Sequence, residues 1–198
     1  PTRAFAKEII FGGTPSLSRQ GLGSIATLML NVAAGAFGDA AIAGMSIVTR
    51  ISFFTYAMVI GLGQGFQPLC GFCYGAKLYG RVKEAFFFCI KCGTVFLSVC
   101  ALLGFIFSTS IISIFRDDAA VVAVGSVALR WQVLSFPLVA SIVLTNMLMQ
   151  TIRKPVRANI VAAARSGLFF IPLIFILPYF FGLLGVEMCQ MWADCCSF

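Results

Sequence analysis

Cysteine supplies the pattern most suggestive of chemistry: Cys70-x2-Cys73 is followed, after fifteen residues, by Cys89-x2-Cys92. That spacing matches a four-cysteine zinc ribbon, in which paired turns bring four thiolates into a tetrahedron. Both pairs fall at the ends of long apolar runs with no sign of such turns, so these cysteines read as small packing residues. Gly61-x-Gly63-x-Gly65 is not a dinucleotide fingerprint, because no strand precedes it and its third glycine is misplaced. It reads as close helix contact through Gly61 and Gly65, four residues apart. Histidine is absent, which removes the commonest metal ligand and the usual neutral-pH acid–base group. No Walker motif is present, so ATP hydrolysis is not expected. The residues give no reason to expect an enzyme or a bound cofactor.

What remains is a set of polar side chains within apolar runs: Arg19, Gln20, Asn31, Arg50, Gln64, Gln67, Arg130, Gln132, Asn146 and Gln150. Each needs an interhelical partner or a wet cavity if its surroundings are lipid. Arg50 and Arg130 lie near span ends, where a long side chain can snorkel to water or face a cavity.

Composition supplies that lipid. The 198 residues are 60% hydrophobic and 11% charged, with mean hydropathy +1.00 and 21 phenylalanines. Such a balance belongs to an integral membrane protein. The net charge of +7 does not indicate nucleic acid, because the cations are spread between apolar spans and form no basic run.

Uncharged windows at 20–38, 51–76, 92–115, 131–152 and 166–186 have lengths of 19, 26, 24, 22 and 21 residues. Each suffices to cross about 30 Å of hydrocarbon as a helix. The reading is all-α: five complete transmembrane helices at about 15–38, 41–72, 86–115, 119–152 and 158–181, with a truncated sixth from 186. Residues 1–13 read as a surface-lying amphipathic segment, with Thr14-Pro15 capping the first span. The third span should begin after the Lys77–Lys83 cluster. Pro137 should kink the fourth span, and Arg153-Lys154-Pro155 should form a turn. The chain opens at Pro1 and stops soon after a new apolar run begins, so it reads as a fragment of a longer protein.

Orientation follows from lysine and arginine. Eleven lie in the lead-in and in the second-to-third and fourth-to-fifth connections, against three (Arg50, Arg116, Arg130) on the other side. The latter side also holds Asp39, Asp117, Asp118 and Glu187. The positive-inside rule then places the N-terminus in the cytoplasm.

The stretch Gly61–Ala85, GLGQGFQPLCGFCYGAKLYGRVKEA, closely resembles the eighth-helix exit of multidrug and toxic compound extrusion (MATE) transporters. The family pattern there is a glycine-rich run, Gln-Pro, Tyr-Gly-Ala-Lys and Arg-Val. PSLSRQGLGSIATLMLN, the Gly38–Ala43 stretch and Gly182–Asp194 agree in the same order. The resemblance implies one six-helix lobe of a twelve-helix protein, the C-terminal one, lacking its N-terminal lobe. It further implies an antiporter in a bacterial plasma membrane. Such a protein exports amphipathic, often cationic drug-like molecules in exchange for Na+ or H+, by alternating access.

On that resemblance Gln20, Asn31, Gln64 and Asn146 line or support the cavity, with Arg19, Arg50, Arg130 and Asp194 in supporting positions. Kinks at Pro137, Pro172 and Pro178 would let the helices bend. The main coupling carboxylate is expected outside this chain. Cys73 stands where the family usually has Asn, and Met191-Trp192 replace a Pro-containing lead. The alternatives are a lipid-linked saccharide flippase of related two-lobe fold and a non-transporting membrane scaffold.

Overall fold

Hydrocarbon offers the backbone no hydrogen-bond partner, so an apolar chain of this kind must satisfy its amides internally. The computed structural model does so with helices. It describes residues 3–152, 155–163, 167 and 169–197, with backbone alone for 3–12, 14–16, 18–19, 155, 157 and 162. The helices are α1 (Arg3–Gly35), α2 (Asp39–Gly75), α3 (Tyr79–Ile106), α4 (Ser108–Phe115), α5 (Ala119–Thr151), α6 (Pro155–Ala163), α7 (Phe170–Phe181) and α8 (Leu183–Cys196). No strand occurs among the described residues.

α5 is the centre. In its most apolar window 61% of residues are buried, against 28% for α2 and 17% for α3. It packs against α2, α3, α4, α6 and α8, and its Leu129, Val133, Phe136, Val139 and Leu144 are almost inaccessible. A helix that is apolar all round has to be surrounded. Asp118 starts it, accepting a 3.0 Å hydrogen bond from the Ala120 amide as N-cap.

α2, α3 and α5 are long and apolar enough to cross a bilayer. Their outward faces agree with lipid as the solvent: Phe54 and Phe72 of α2, Phe88 and Leu102 of α3 and Leu134 of α5 all lie exposed. A surface so rich in large apolar groups would drive aggregation in water.

Several boundaries differ from those the sequence suggests. α1 is one helix from Arg3, continuous through Thr14-Pro15, so there is no separate surface segment and no cap there. Within a spanning helix the amide that proline removes can be compensated locally. α3 begins at Tyr79, inside the cationic cluster. Long side chains such as Arg81 and Lys83 reach outward from a helix, so they need not end it. The 86–115 span divides at Phe107, whose φ of −99° and ψ of 18° leave the helical region and cap both α3 and α4. The fifth span consists of α6 and α7, and α8 starts at Leu183 rather than 186. Arg153 and Lys154 of the expected turn lie outside the described residues.

Proline does not end the long helices. α5 is unbroken across Pro137, and α2 is likewise unbroken across Pro68. Pro172 occupies the first turn of α7, where the missing amide has no helical acceptor anyway.

Close helix contact occurs, but not at Gly61 and Gly65, where a β-carbon would meet nothing within 4 Å. The intervening Gly63 instead faces α5, and a β-carbon there would overlap the Met147 sulfur. At the other end of α2, a β-carbon on Gly44 would lie 3.1 Å from the Gly125 amide nitrogen. These glycines let α2 rest backbone against α5, and α2 is thereby fixed as one wall of the site.

Candidate functional site: a polar cavity on the central helix

A cavity of about 410 Å³ opens between α1, α2, α5, α7 and α8. One side is apolar, including Leu30, Met45, Val48, Ile60, Val143 and Phe170. The other carries Gln20, Ser24 and Thr27 from α1, Thr49, Ser52 and Tyr56 from α2, Gln132 from α5 and Gln190 from α8. None of the described lining residues is charged.

Its hydroxyls are already oriented. Ser24 Oγ donates to the Gln20 carbonyl at 3.1 Å, Thr27 Oγ1 to that of Gly23 at 3.0 Å and Thr49 Oγ1 to that of Met45 at 2.8 Å. A hydroxyl has one hydrogen and two lone pairs. With the hydrogens committed to their own helices, these groups offer the cavity acceptors. Ser52 Oγ is buried there without a partner. The arrangement suits an amphipathic guest that brings hydrogen-bond donors or positive charge, with apolar surface for the opposite wall.

Behind the polar wall runs a hydrogen-bonded chain joining three helices. Gln132 Nε2 donates to Tyr56 Oη at 2.9 Å and reaches Ser135 Oγ at 3.4 Å. Ser135 Oγ lies 2.9 Å from Asp194 Oδ2 and 2.9 Å from the Gln132 carbonyl oxygen. Gln190 Nε2 donates to Asp194 Oδ1 at 3.2 Å. Asp194 is fully buried, and the Tyr56 ring meets Phe136 edge-on at 5.2 Å. Ser135 is the middle residue of the 33-residue α5, and Tyr56 lies close to the middle of α2. The chain therefore crosses the bundle halfway along its longest helices.

The residues singled out in the sequence have separate locations. Gln20 lines the cavity and Asp194 joins the chain behind it. Asn31 is half-buried on α1 outside the cavity lining, and Gln64 is exposed on α2. Asn146 instead clamps helices: its Nδ2 donates to the Ala158 carbonyl of α6 at 2.7 Å, and Gln150 Nε2 donates to its Oδ1 at 2.6 Å. Arg130 binds across the α3–α4 break, with Nε donating to Ser108 Oγ at 2.9 Å and Cζ 5.8 Å from the Phe105 ring centre. Arg50 is exposed on α2, and the Arg19 side chain lies outside the described residues. Cys70, Cys73 and Cys89 pack in a small core with Phe66, Val82 and Leu144, while Cys92 is exposed.

Three contributors were not anticipated: Tyr56, Ser135 and Gln190. Glu187 is buried in α8 rather than placed in a loop, and its Oε2 has no partner. The spacing 187, 190, 194 gives one face of a helix, and that signal was available in the sequence.

The model of the MatE family matches residues 15–176. The chain belongs to the MatE family. Among curated relatives of this MatE chain, the multidrug export protein MepA of Staphylococcus saprophyticus is 28% identical over 187 residues, covering 94% of the chain and 41% of that protein. MepA of Staphylococcus aureus strain RF122 is 28% identical over 194 residues, covering 98% and 42%. The chain thus spans less than half the length of these relatives. The fold is that of the Vibrio cholerae MATE transporter VcmN in its bent form. There the TM-score is 0.89 at 18% identity, with 97% of this chain and 44% of that one covered. A MatE chain is a multi-pass membrane protein of a transporter family.

Proposed function

We propose that this chain is the C-terminal lobe of a multidrug exporter that extrudes amphipathic, donor-bearing or cationic compounds by alternating access in exchange for Na+ or H+. The observation that supports this most directly is the cavity, which pairs one apolar wall with a wall of uncharged acceptors. It accommodates varied organic cations without demanding one shape. The export function named for the MepA relatives supports the same reading. The flippase reading is less well supported, because a pyrophosphate headgroup calls for cations and none is found among the described lining residues.

In this reading the lobe sits in a bacterial plasma membrane with its N-terminus in the cytoplasm, facing an N-terminal lobe across the substrate path. Gln20 touches substrate, and exposed Gln64 and half-buried Asn31 belong to faces turned toward that path. Asn146, Arg130, Arg50 and Arg19 support the helices that form it.

The test is ethidium efflux from cells expressing the intact transporter. Gln20→Ala is expected to lower efflux several-fold at unchanged membrane abundance, and Ser52→Ala to lower it less. Wild-type efflux in both variants would remove this cavity from the substrate path.

A further inference from the structure

The aliphatic hydroxyls on the polar wall of the cavity are of two kinds. Ser24, Thr27 and Thr49 each donate to the carbonyl four residues back on their own helix, at 3.1, 3.0 and 2.8 Å. Thr55, farther along α2, does the same to Ile51 at 2.9 Å. Ser52 stands between Thr49 and Thr55 and lacks that bond. It lines the cavity, is only 7% exposed, and its Oγ has no partner among the described residues. A buried hydroxyl left in this condition is uncommon and marks a place where a ligand or water arrives.

The amides leave acceptors too. Gln132 commits its Nε2 to Tyr56 and Ser135, and Gln190 commits its Nε2 to Asp194. What each carries besides is a carbonyl oxygen, which can only accept. Val48, Ser52 and Tyr56 recur every four residues on one face of α2, and all three line the cavity. The unpartnered oxygen is thus set between an aliphatic and an aromatic side chain, in surroundings where a hydrogen bond counts for more than in water.

We infer that this lobe discriminates among organic cations of equal charge by the N–H donors they carry, with Ser52 as the specificity-determining residue. This rests on the exporter reading and deepens it by naming the favoured class of cation: amines that keep their hydrogens, over amines fully alkylated. A guest N–H donates to Ser52 Oγ, leaving the serine hydrogen to take the backbone bond that Thr49 and Thr55 already make. Such a guest recovers in the cavity a hydrogen bond that it lost on leaving water. A fully alkylated guest recovers none and displaces the water that would otherwise serve the acceptors. A site built to accept from N–H groups discriminates in this way without any difference in charge.

The experiment uses the intact transporter, purified in detergent, and two fluorescent dyes, proflavine and acridine orange. Acridine orange is proflavine with the hydrogens of both exocyclic amines replaced by methyl groups, and both are cations at neutral pH. Charges elsewhere in the protein act on the two alike. Methylation also makes the dye more apolar, so the reading is the change that Ser52→Ala makes in the ratio of the two affinities. That variant is expected to bind proflavine about three- to tenfold more weakly, the range of one hydrogen bond, with acridine orange unchanged. It should also melt at or above the wild-type temperature, because it removes a buried polar group that had no partner. Equal losses for the two dyes, or no loss for either, overturn the inference. A variant that melts well below the wild type shows the hydroxyl to be holding the fold, and overturns its assignment as well. All of these leave the exporter reading standing. A wild type that binds neither dye defeats the exporter reading itself.

Discussion

Asn146 shows how a polar residue in lipid can serve architecture while resembling a ligand group. Its amide satisfies the Ala158 carbonyl of α6, and its oxygen accepts from Gln150. Asn146→Ala leaves that carbonyl and the Gln150 amide short of partners in a buried place, a loss of about 1–3 kcal/mol. The variant is expected to melt several degrees lower in detergent, with ethidium affinity of the surviving protein near wild type. A thermal-shift assay paired with a binding titration checks both halves. From sequence alone, Asn146 and Gln20 were equivalent: each is a lone amide within an apolar run. Only packing assigns the first to a helix clamp and the second to a cavity. Glu187 was obscured for another reason, because counting uncharged windows ends a span at the first charge, and a buried acid then looks like a loop.

At the level of elements, spans and their order could be read from hydropathy, because lipid requires about 20 apolar residues per crossing. The break at Phe107 could not, since no charge marks it. The Ser108-Thr109-Ser110 run beside it was the available hint, and Arg130 on a different helix holds the junction. Glycine spacing was ambiguous in the same way. Gly61, Gly63 and Gly65 all suggest close approach, yet the angle at which α2 meets α5 selects Gly63 alone. Gly61→Ala and Gly65→Ala should therefore alter stability by no more than about 0.5 kcal/mol. Gly44→Leu sets a branched side chain against the backbone at Gly125 and Val121, and should cost about 1–3 kcal/mol. Urea or thermal melts of the three variants distinguish these outcomes.

For the whole molecule, the exposed aromatic and aliphatic faces and the central burial of α5 agree with a lobe immersed in lipid. The proposed sidedness rests on the cations. Lys77, Arg81 and Lys83 gather at the α2–α3 turn, where Lys77 adopts φ 59° and the Leu78 amide reaches back to the Cys73 carbonyl at 2.9 Å. That amide-to-carbonyl closure is a helix stop of the Schellman kind. A single cysteine placed at Lys77 in a background without its native cysteines should react with an impermeant maleimide only when the cytoplasmic face is accessible. Labelling of intact cells from outside would reverse the assigned orientation.

The corner between α7 and α8 consists of one residue, Gly182, at φ 59°, and a β-carbon on nearby Gly185 would overlap the Leu177 carbonyl. Farther along the same pair, Cys189 Sγ donates to the Phe170 carbonyl at 3.8 Å. The two helices are thereby joined into a single lever, with Phe170 and Gln190 at the cavity wall and Asp194 deeper on the same arm. Whatever displaces one of these helices must carry the other with it.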